Sequence, residues 1–311
     1  MTEDHPYITG SRIVFGGNVF GWTIGRDASF AVLDAFYAAG GRMIDTAEGY
    51  SAWVPGHQGG ESETVLGEWL ESRGVRADMR IATKTGMEGA PGSLAEDKVK
   101  AAFAASLERL HTDYVDLYYV HRDDQTTPLE EVAATYHGLF ASGQVRSLGL
   151  SNYAPDRMAA LLDTCERIGT QPFTVLQNEC SLISRQDYGA EMQALCLARG
   201  VAVLPFYGLA SGFLTGKYRS AKDWAGSARS FALDGYAASG GWDVLKVLAE
   251  VAAEIGATQG QVALAWLLAQ PGIAAPLASA TTVAQLDELM GAVSLKLAEA
   301  QLQRLTAALP Q

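Results

Sequence analysis

Four titratable side chains stand at or just beyond the ends of three strand-like apolar runs. Asp45 ends the run RMID, Lys84 ends RIATK and His121 ends YVDLYYVH, while Tyr50 follows five residues after Asp45. The carboxyl ends of the strands in a parallel barrel converge on one face, where the chemistry of such barrels occurs. A carboxylate, a phenol, an amine and an imidazole on that face could transfer protons. Buried ion pairs plus a satisfied histidine are the structural alternative.

These four side chains predict a proton donor of tuned acidity. A tyrosine has a pKa of about 10 in water, so it is a poor acid at neutral pH unless its anion is stabilised. We expect the ammonium of Lys84 to lower the pKa of Tyr50, and Asp45 to hold that ammonium in place. His121 adds a hydrogen-bond donor that can orient a carbonyl oxygen.

Short β-branched or aromatic runs alternate with amphipathic helical patterns, which is typical of βα units around a parallel sheet. Strands are predicted at 12–16, 42–45, 79–84, 114–120, 145–150, 173–178, 201–206 and 273–278. Helices are predicted at 27–40, 61–73, 93–111, 128–142, 155–168, 187–199, 258–270 and 282–291. Two more helical patterns, 242–256 and 297–309, exceed an eightfold repeat. We predict an α/β fold in which residues 1–311 form a single (β/α)8 TIM barrel domain with two extra helices.

Two local predictions concern the connections. The stretch 207–240 after the seventh strand is rich in Gly, Ala and Ser, and it is longer than an ordinary βα loop. Long loops over the active face are usually functional. At the start of the third helix, Ser93 is followed three residues later by Glu96, which predicts a capping box.

Polar and aromatic residues end the next strands. Ser151 and Asn152 follow the fifth strand and Gln177 lies at the end of the sixth, so their hydroxyl and amide groups can hydrogen bond a polar ligand. Phe206 ends the seventh strand and offers a face on which a planar ring could stack. Single Asn or Gln residues at strand ends also form turns, and each residue alone is open to that interpretation.

Composition narrows the classes of partner. The 311 residues are 48% hydrophobic and carry a net charge of −12, which argues against nucleic acid and anionic membrane surfaces. The N-terminus lacks the apolar region of a signal peptide, and no apolar run approaches the roughly 20 residues of a membrane helix. Three widely spaced cysteines fit no metal site and no disulfide framework. We therefore expect a protein of the reducing cytoplasm without a structural metal.

Six ordered motifs resemble one family. The motifs IDTAEGY, ATKTG, DLYYVH, LGLSNY, LQNE and GLASGFLTGKY look like those of the aldo-keto reductases, in that order. The segments GGNVFGW and SAWVPGHQGGESE bring the chain closest to the bacterial branch that also resembles the potassium-channel β subunits. This resemblance covers nearly the whole chain. It implies an NAD(P)H-dependent oxidoreductase on a (β/α)8 barrel, which reduces aldehydes and ketones or oxidises sugars or secondary alcohols.

The resemblance implies separate roles for the strand-end residues. Tyr50 would protonate the carbonyl oxygen, Lys84 and Asp45 would tune its acidity, and His121 would orient the substrate. Ser151, Asn152 and Gln177 match the positions that hold the cofactor carboxamide, and Phe206 matches the aromatic residue that stacks on nicotinamide.

The resemblance also implies a phosphate and adenosine end of the cofactor site. The matching residues are Asn18, Leu209, Ser211, Lys217, Ser279, Thr281, Gln285 and Glu288. Many relatives carry Arg where Thr281 stands and Asn where Leu289 stands, which weakens the case for strong NADP preference and leaves NAD open. Arg229 in the long loop could supply the missing charge, and a solvated loop arginine is the alternative.

Two tryptophans predict the substrate pocket. Trp22 follows the first strand and Trp53 follows Tyr50, so aromatic walls could face a sugar, a ring ketone or an aryl aldehyde. Core packing of both rings is the alternative. The channel-β resemblance also permits a cofactor-sensing regulatory subunit, and an unrelated metal-dependent isomerase would need more carboxylate and histidine ligands than these strand ends offer. The sequence leaves the oligomeric state open.

Overall fold

Eight parallel strands form the centre of the molecule. The computed structural model describes residues 10–227 and 230–309, so Arg229 lies outside the described residues. The strands are β1 (Val14–Gly16), β2 (Met43–Asp45), β3 (Arg80–Thr85), β4 (Leu117–Val120), β5 (Leu148–Ser151), β6 (Val175–Gln177), β7 (Ala202–Val203) and β8 (Leu277–Ala278). All eight coincide with predicted strands, although β3 and β5 each end one residue later than predicted, at Thr85 and Ser151. Seven of the eight are shorter than predicted, because buried apolar residues such as Phe173 and Leu204 continue beyond the paired backbone.

The sheet closes into a barrel. Its strand order is β7-β6-β5-β4-β3-β2-β1-β8, with every pair parallel. A parallel bridge between Val203 and Ile273 joins the two remaining edges. The amide of Val203 donates to the Gly272 carbonyl at 3.0 Å, and the amide of Ala274 donates to the Val203 carbonyl at 2.9 Å. The predicted (β/α)8 barrel is confirmed.

Eleven α-helices occur in the described part of the chain. They are α1 (Arg26–Ala38), α2 (Glu61–Arg73), α3 (Glu96–Arg109), α4 (Leu129–Ala141), α5 (Pro155–Ile168), α6 (Ala190–Arg199), α7 (Ser230–Tyr236), α8 (Trp242–Ile255), α9 (Gln259–Leu268), α10 (Val283–Gly291) and α11 (Glu299–Ala307). The two extra helices predicted from the sequence are α8 and α11. Helix α7 falls in the stretch that was predicted to be a loop.

The start of α3 differs from its prediction. The helix begins at Glu96, the residue before it is Ala95, and no side chain caps its N-terminus. Two carboxylates distant in sequence take this role: Glu131, in the first turn of α4, accepts from the Glu96 amide at 3.2 Å, and Asp124, in the connection before α4, accepts from the Leu94 amide at 3.2 Å. The predicted capping box is wrong, because hydrogen bonds to residues distant in sequence replace those that Ser93 and Glu96 were expected to make.

Alternation along the strands separates two apolar clusters. The larger cluster lies between the strands and the surrounding helices. The smaller one fills the barrel and consists of Val14, Met43, Ala82, Leu117, Tyr119, Val175, Ala202, Leu204, Ala274, Ala275 and Leu277. Successive side chains of a strand point to opposite faces. Two residues beyond Met43, Ala82 and Val175, the inward positions are therefore occupied by Asp45, Lys84 and Gln177.

Residues 207–241, which we call the β7–α8 segment, contain ordered elements. Short 3-10 helices span Ala210–Thr215 and Ala221–Trp224, and a π-helical turn at Ala237–Gly241 joins α7 to α8. Stacked indoles of Trp224 and Trp242, 5.9 Å apart, pack against Phe213. The predicted long loop is present, and an aromatic cluster organises it.

No helix within residues 10–227 and 230–309 is long and apolar enough to cross a membrane. The same residues contain no group of three or more His, Cys, Asp or Glu side chains arranged to hold a metal ion.

Candidate active site

Asp45, Tyr50 and Lys84 form a connected group at the carboxyl ends of β2 and β3. The Nζ atom of Lys84 lies 2.5 Å from Oδ2 of Asp45 and 2.9 Å from the Tyr50 hydroxyl oxygen. Its third contact is the backbone oxygen of Thr46 at 2.9 Å. All three atoms can accept, so they match the three N–H bonds of an ammonium. Parallel pairing of β2 with β3 brings these strand ends to the same edge of the barrel.

Burial dominates the electrostatics of this group. Lys84 is 0% exposed and Asp45 is 1% exposed. Burial lowers the pKa of Lys84, and the contact with Asp45 opposes that shift. Burial, followed by the charge of Asp45, raises the pKa of Tyr50 well above its usual value. The expected lowering of the Tyr50 pKa is wrong, because burial and the Asp45 carboxylate both raise it.

His121 completes the predicted set. Its ring centroid lies 5.9 Å from that of Tyr50, and the residue is 9% exposed. Its Nδ1 atom is buried and has no hydrogen-bond partner among the described residues. Burial, followed by the positive charges of Lys84 and Arg122, holds the pKa of His121 well below its usual value. The imidazole is therefore neutral at pH 7 and carries one N–H donor.

The hydroxyl and amide side chains of β5 and β6 extend the site. The Ser151 hydroxyl donates to the Gln177 backbone oxygen at 2.7 Å, and Gln177 Nε2 donates to Asp45 Oδ1 at 2.9 Å. Asn152 adopts a left-handed φ of 56°, and its Nδ2 atom donates to the His121 backbone oxygen at 2.9 Å. Gln177 and Asn152 thus contact Asp45 and His121 directly, while Ser151 is hydrogen bonded to Gln177 and Asn152.

Two aromatic residues follow β7 on the same side of the barrel. Phe206 packs against the inner apolar cluster, and its ring centroid lies 5.1 Å from that of Tyr207. Tyr207 is 47% exposed and has a left-handed φ of 55°. One half-buried aromatic face therefore remains at the position that was predicted to stack on a planar ring.

Residues after β1 and β8 form a close-packed corner. The Ser279 hydroxyl donates to Oδ1 of Asn18 at 2.7 Å. A Cβ atom at Gly16 would lie only 2.5 Å from the Ser279 oxygen, so this strand end requires glycine. Two predicted cofactor residues, one from each end of the chain, therefore meet at this corner.

The β7–α8 segment begins with strained backbone. Ala210, Ser211 and Gly212 have φ values of 47°, 55° and 89°. Such conformations are uncommon for residues other than glycine, and successive turns of this kind can direct backbone N–H groups into an anion-binding concavity. Lys217 is exposed, and its Nζ would lie 3.0 Å from a Cβ at Gly212. No described carboxylate pairs with this ammonium.

The residues predicted to bind the adenosine end of the cofactor make two separate groups of contacts. Gln285 Oε1 accepts from the amide and the hydroxyl of Thr281, at 2.8 and 2.9 Å. Glu288 accepts from the Thr258 hydroxyl at 2.6 Å, beside the start of α9. A Cβ at Gly260 would lie 3.1 Å from Glu288 Oε1 and 3.9 Å from Leu209. The predicted residues at this end of the chain therefore lie close to the β7–α8 segment.

Two tryptophan rings form a continuous wall beside the phenol of Tyr50. The Trp53 ring lies 6.2 Å from the Tyr50 ring and 5.2 Å from the Trp22 ring, centroid to centroid. Trp53 is 46% exposed and Trp22 is half-buried. Complete core packing of these two tryptophans is therefore ruled out.

The sequence interpretation missed two contributors. The backbone oxygen of Thr46 carries no sequence signal, because any residue supplies that group. Glu179, by contrast, follows Gln177 by two residues and could have been found by extending the inward face of β6. Its carboxylate accepts from the Tyr236 hydroxyl at 2.8 Å.

The geometry agrees with comparisons to known proteins. A model of the Aldo/keto reductase family matches residues 12–310. The chain therefore belongs to the aldo-keto reductase family, as its motifs predict. Membership makes it an oxidoreductase of a family that uses a nicotinamide cofactor.

Similar proteins include a reductase, a dehydrogenase and a channel subunit. Norsolorinic acid reductase of Emericella nidulans is 32% identical, over 95% of this chain and 76% of that protein. Aryl-alcohol dehydrogenase (NADP+) of Phanerodontia chrysosporium is 31% identical, over 93% and 77%. A probable voltage-gated potassium channel subunit beta of Arabidopsis thaliana is 30% identical, over 91% and 87%.

The described residues fit a nicotinamide cofactor. Within the described residues, His121 Nδ1 is buried without a hydrogen-bond partner, and the Lys217 ammonium has no carboxylate partner and can meet an anion. Phe206 keeps a half-buried face. Because Gly16 has no Cβ atom, the end of β1 packs closely against the side chains of Asn18 and Ser279. These features supply polar, stacking and cationic contacts for an amide, a ring and phosphates.

Proposed function

We propose that this chain is an NAD(P)H-dependent reductase of aldehydes or ketones in which Tyr50 donates the proton. One observation carries the proposal: the buried ammonium of Lys84 lies between the Asp45 carboxylate, at 2.5 Å, and the Tyr50 hydroxyl, at 2.9 Å. A buried ion pair alone would not require a phenol beside it. An acid whose anion is held by an ammonium does require that arrangement.

The proton comes from the Tyr50 hydroxyl. The raised pKa keeps Tyr50 protonated at neutral pH, which is the form a reduction needs at its start. As the carbonyl oxygen gains electron density, Tyr50 transfers its proton to that oxygen and becomes a phenolate. Lys84 then donates to the phenolate, and Asp45 holds Lys84 in place. The burial of Lys84 and Asp45 strengthens these interactions.

His121 positions the substrate. Its neutral imidazole carries one N–H, and the ring lies beside Tyr50, so both can hydrogen bond one carbonyl oxygen. A neutral imidazole N–H can polarise the carbonyl by a hydrogen bond without transferring its proton, so the role of acid stays with Tyr50. The two donors therefore divide orientation and proton transfer between them.

The remaining strand ends would bind the cofactor, which when bound supplies a hydride to the carbonyl carbon. Ser151, Asn152 and Gln177 would hold the carboxamide, and Phe206 would stack on the ring. The phosphate and adenosine contacts would come from Asn18, Leu209, Ser211, Lys217, Ser279, Thr281, Gln285 and Glu288. Arg229 belongs to the same proposal, although it lies outside the described residues.

We propose NADPH as the preferred cofactor, with NADH also accepted. The exposed ammonium of Lys217 favours a phosphate-rich ligand, and the similar aryl-alcohol dehydrogenase is named for NADP+. Thr281 makes its described hydrogen bonds to Gln285, and its side chain offers no positive charge to a further phosphate. Thr281 therefore limits the preference for NADPH over NADH.

The substrate we propose is an aryl aldehyde or aryl ketone. The wall formed by Trp22 and Trp53 next to Tyr50 offers flat apolar surface beside the proton donor. Two relatives are named for norsolorinic acid and for aryl alcohols. Aromatic rings pair with such walls at about 0.5–1.5 kcal/mol beyond the area they bury.

A cofactor-sensing regulatory subunit is the second candidate, favoured by the potassium-channel-type relative. It would bind the cofactor without physiological turnover. We propose the reductase because Asp45, Tyr50, Lys84 and His121 are all present and adjacent. We also propose that the chain acts as one domain in the cytoplasm and acts on small molecules.

A carbonyl panel tests the proposal. Purified protein is mixed with aryl, aliphatic and sugar carbonyl compounds, with NADPH and NADH in parallel, and cofactor oxidation is followed by absorbance. We expect NADPH-linked reduction of an activated aryl aldehyde. Tight cofactor binding without turnover of any compound would favour the regulatory subunit, and absence of binding would refute both candidates.

A further inference from the structure

A hydrogen bond links the end of β6 to the β7–α8 segment. The Tyr236 hydroxyl donates to Oε1 of Glu179 at 2.8 Å. Glu179 extends the inward face of β6, and a parallel bridge to Phe206 fixes it beside the end of β7. The acceptor therefore belongs to the barrel, whereas the donor lies on α7, more than fifty residues further along the chain.

The same phenol interacts with Ser211, one of the predicted cofactor residues. Helix α7 packs against the 3-10 helix Ala210–Thr215. Burial, followed by the charge of Glu179, raises the pKa of Tyr236, while a hydrogen bond with the Ser211 side chain acts in the opposite direction. Tyr236 is thus a neutral donor at pH 7, placed between Glu179 of the barrel and Ser211 of the segment.

The segment needs contacts of this kind. Tyr207, Ala210 and Ser211 all have positive φ, a conformation that disfavours residues with a Cβ and persists only where surrounding structure enforces it. On the outer side, the aromatic cluster around Phe213 supplies such structure. On the side of the barrel, the hydrogen bond between Tyr236 and Glu179 supplies it.

We propose that Glu179 and Tyr236 are positioning residues for the nicotinamide cofactor, whose hydrogen bond holds residues 207–217 in their cofactor-binding conformation. This inference rests on the proposed function. Neither side chain takes part in proton transfer. If the bond is lost, residues 207–217 spend part of their time in other conformations, and the apparent affinity falls in proportion to the competent fraction.

Substituting Tyr236→Phe removes the hydroxyl and keeps the ring. We expect the dissociation constant for NADPH, measured by calorimetry, to rise on the order of tenfold, as for loss of a hydrogen bond to a charged group. Tyr37→Phe is the matched control, because its hydroxyl donates to the Asp78 carboxylate at 2.7 Å on an exposed part of the surface. That variant should bind NADPH as the wild type does.

Two substitutions of Glu179 separate the hydrogen bond from general stability. Glu179→Gln keeps an acceptor oxygen and should restore binding to within about twofold of the wild type. Glu179→Ala should weaken binding as Tyr236→Phe does, and the double variant Glu179→Ala/Tyr236→Phe should be no weaker than either. At saturating cofactor, the single-turnover rate constant should stay unchanged in all of them.

The outcomes distinguish the two proposals. If the wild type binds neither NADPH nor NADH, the proposed function fails. If the wild type binds and Tyr236→Phe matches Tyr37→Phe, the positioning role is refuted and the proposed function stands. If Tyr236→Phe does not fold, the comparison of Glu179→Ala with Glu179→Gln decides, and equal binding by these two refutes the role.

Discussion

Replacing Lys84 with Met would separate the structural role of the buried ion pair from its role in proton transfer. The unbranched Met side chain keeps much of the packing volume and removes the ammonium. Asp45, 1% exposed, then loses its 2.5 Å partner but keeps hydrogen bonds from Gln177 at 2.9 Å and from the Tyr50 hydroxyl at 3.3 Å. Breaking a buried pair typically costs about 3–5 kcal/mol. Because two hydrogen bonds remain, we expect the free energy of unfolding to fall by about 3 kcal/mol.

The same change removes the donor that stabilises the Tyr50 phenolate. A hydrogen bond to a charged group contributes about 1.5–3 kcal/mol, and Nζ lies 2.9 Å from the hydroxyl in a buried site. At about 1.4 kcal/mol per factor of ten, the single-turnover rate constant should fall by about 10- to 100-fold. Cofactor affinity should stay near that of the wild type, since Lys84 contacts none of the proposed cofactor residues directly.

The double variant Asp45→Asn/Lys84→Met provides the control. It leaves no unpaired charge in the core, so about 2 kcal/mol of unfolding free energy should return while turnover stays low. Urea denaturation measures stability, and stopped-flow absorbance of the preloaded enzyme measures the rate. The reasoning is refuted if the double variant is no more stable than Lys84→Met, or if Lys84→Met keeps turnover within about threefold of the wild type.

Three further predictions follow from the electrostatics and packing of the site. Because the pKa of Tyr50 is raised well above 10.0 and that of His121 lowered well below 6.5, the rate of reduction should be flat between about pH 7 and 9, and an inflection there would contradict both shifts. Thr281→Arg should improve NADPH over NADH binding by about tenfold, as measured by calorimetry, and an unchanged ratio would move the adenosine phosphate elsewhere. Trp53→Ala should raise KM for an aryl aldehyde by about 3- to 10-fold and leave that for acetaldehyde unchanged, whereas equal effects would argue against a stacking wall.

Period-two alternation made much of the site predictable. Met43 and Asp45, Ala82 and Lys84, and Val175 and Gln177 are spaced by two, so an apolar interior leads directly to polar groups at the strand ends. The pattern is strong because every strand of a parallel barrel must bury one face inside it. Glu179 obeys the same rule, and it was missed only because the strand was ended too early.

Other features depend on contacts between residues distant in sequence, which no local sequence pattern predicts. The barrel closes through Val203 and Ile273, seventy residues apart, and α7 orders a stretch whose Gly, Ala and Ser content resembles a loop. The direction of the Tyr50 pKa shift was also beyond the sequence. The proximity of Lys84 to Tyr50 could be inferred from the sequence, but the burial that raises the pKa of Tyr50 could not.

Substituting Tyr50→Phe removes the proposed proton donor. The variant keeps the ring, and the hydroxyl that lies 2.9 Å from Lys84 is lost. We expect single-turnover reduction of an aryl aldehyde to fall by about 100- to 10,000-fold, the range for loss of a general acid, with NADPH affinity unchanged and Tyr37→Phe fully active. Full turnover by Tyr50→Phe would contradict the assignment of Tyr50 as the proton donor.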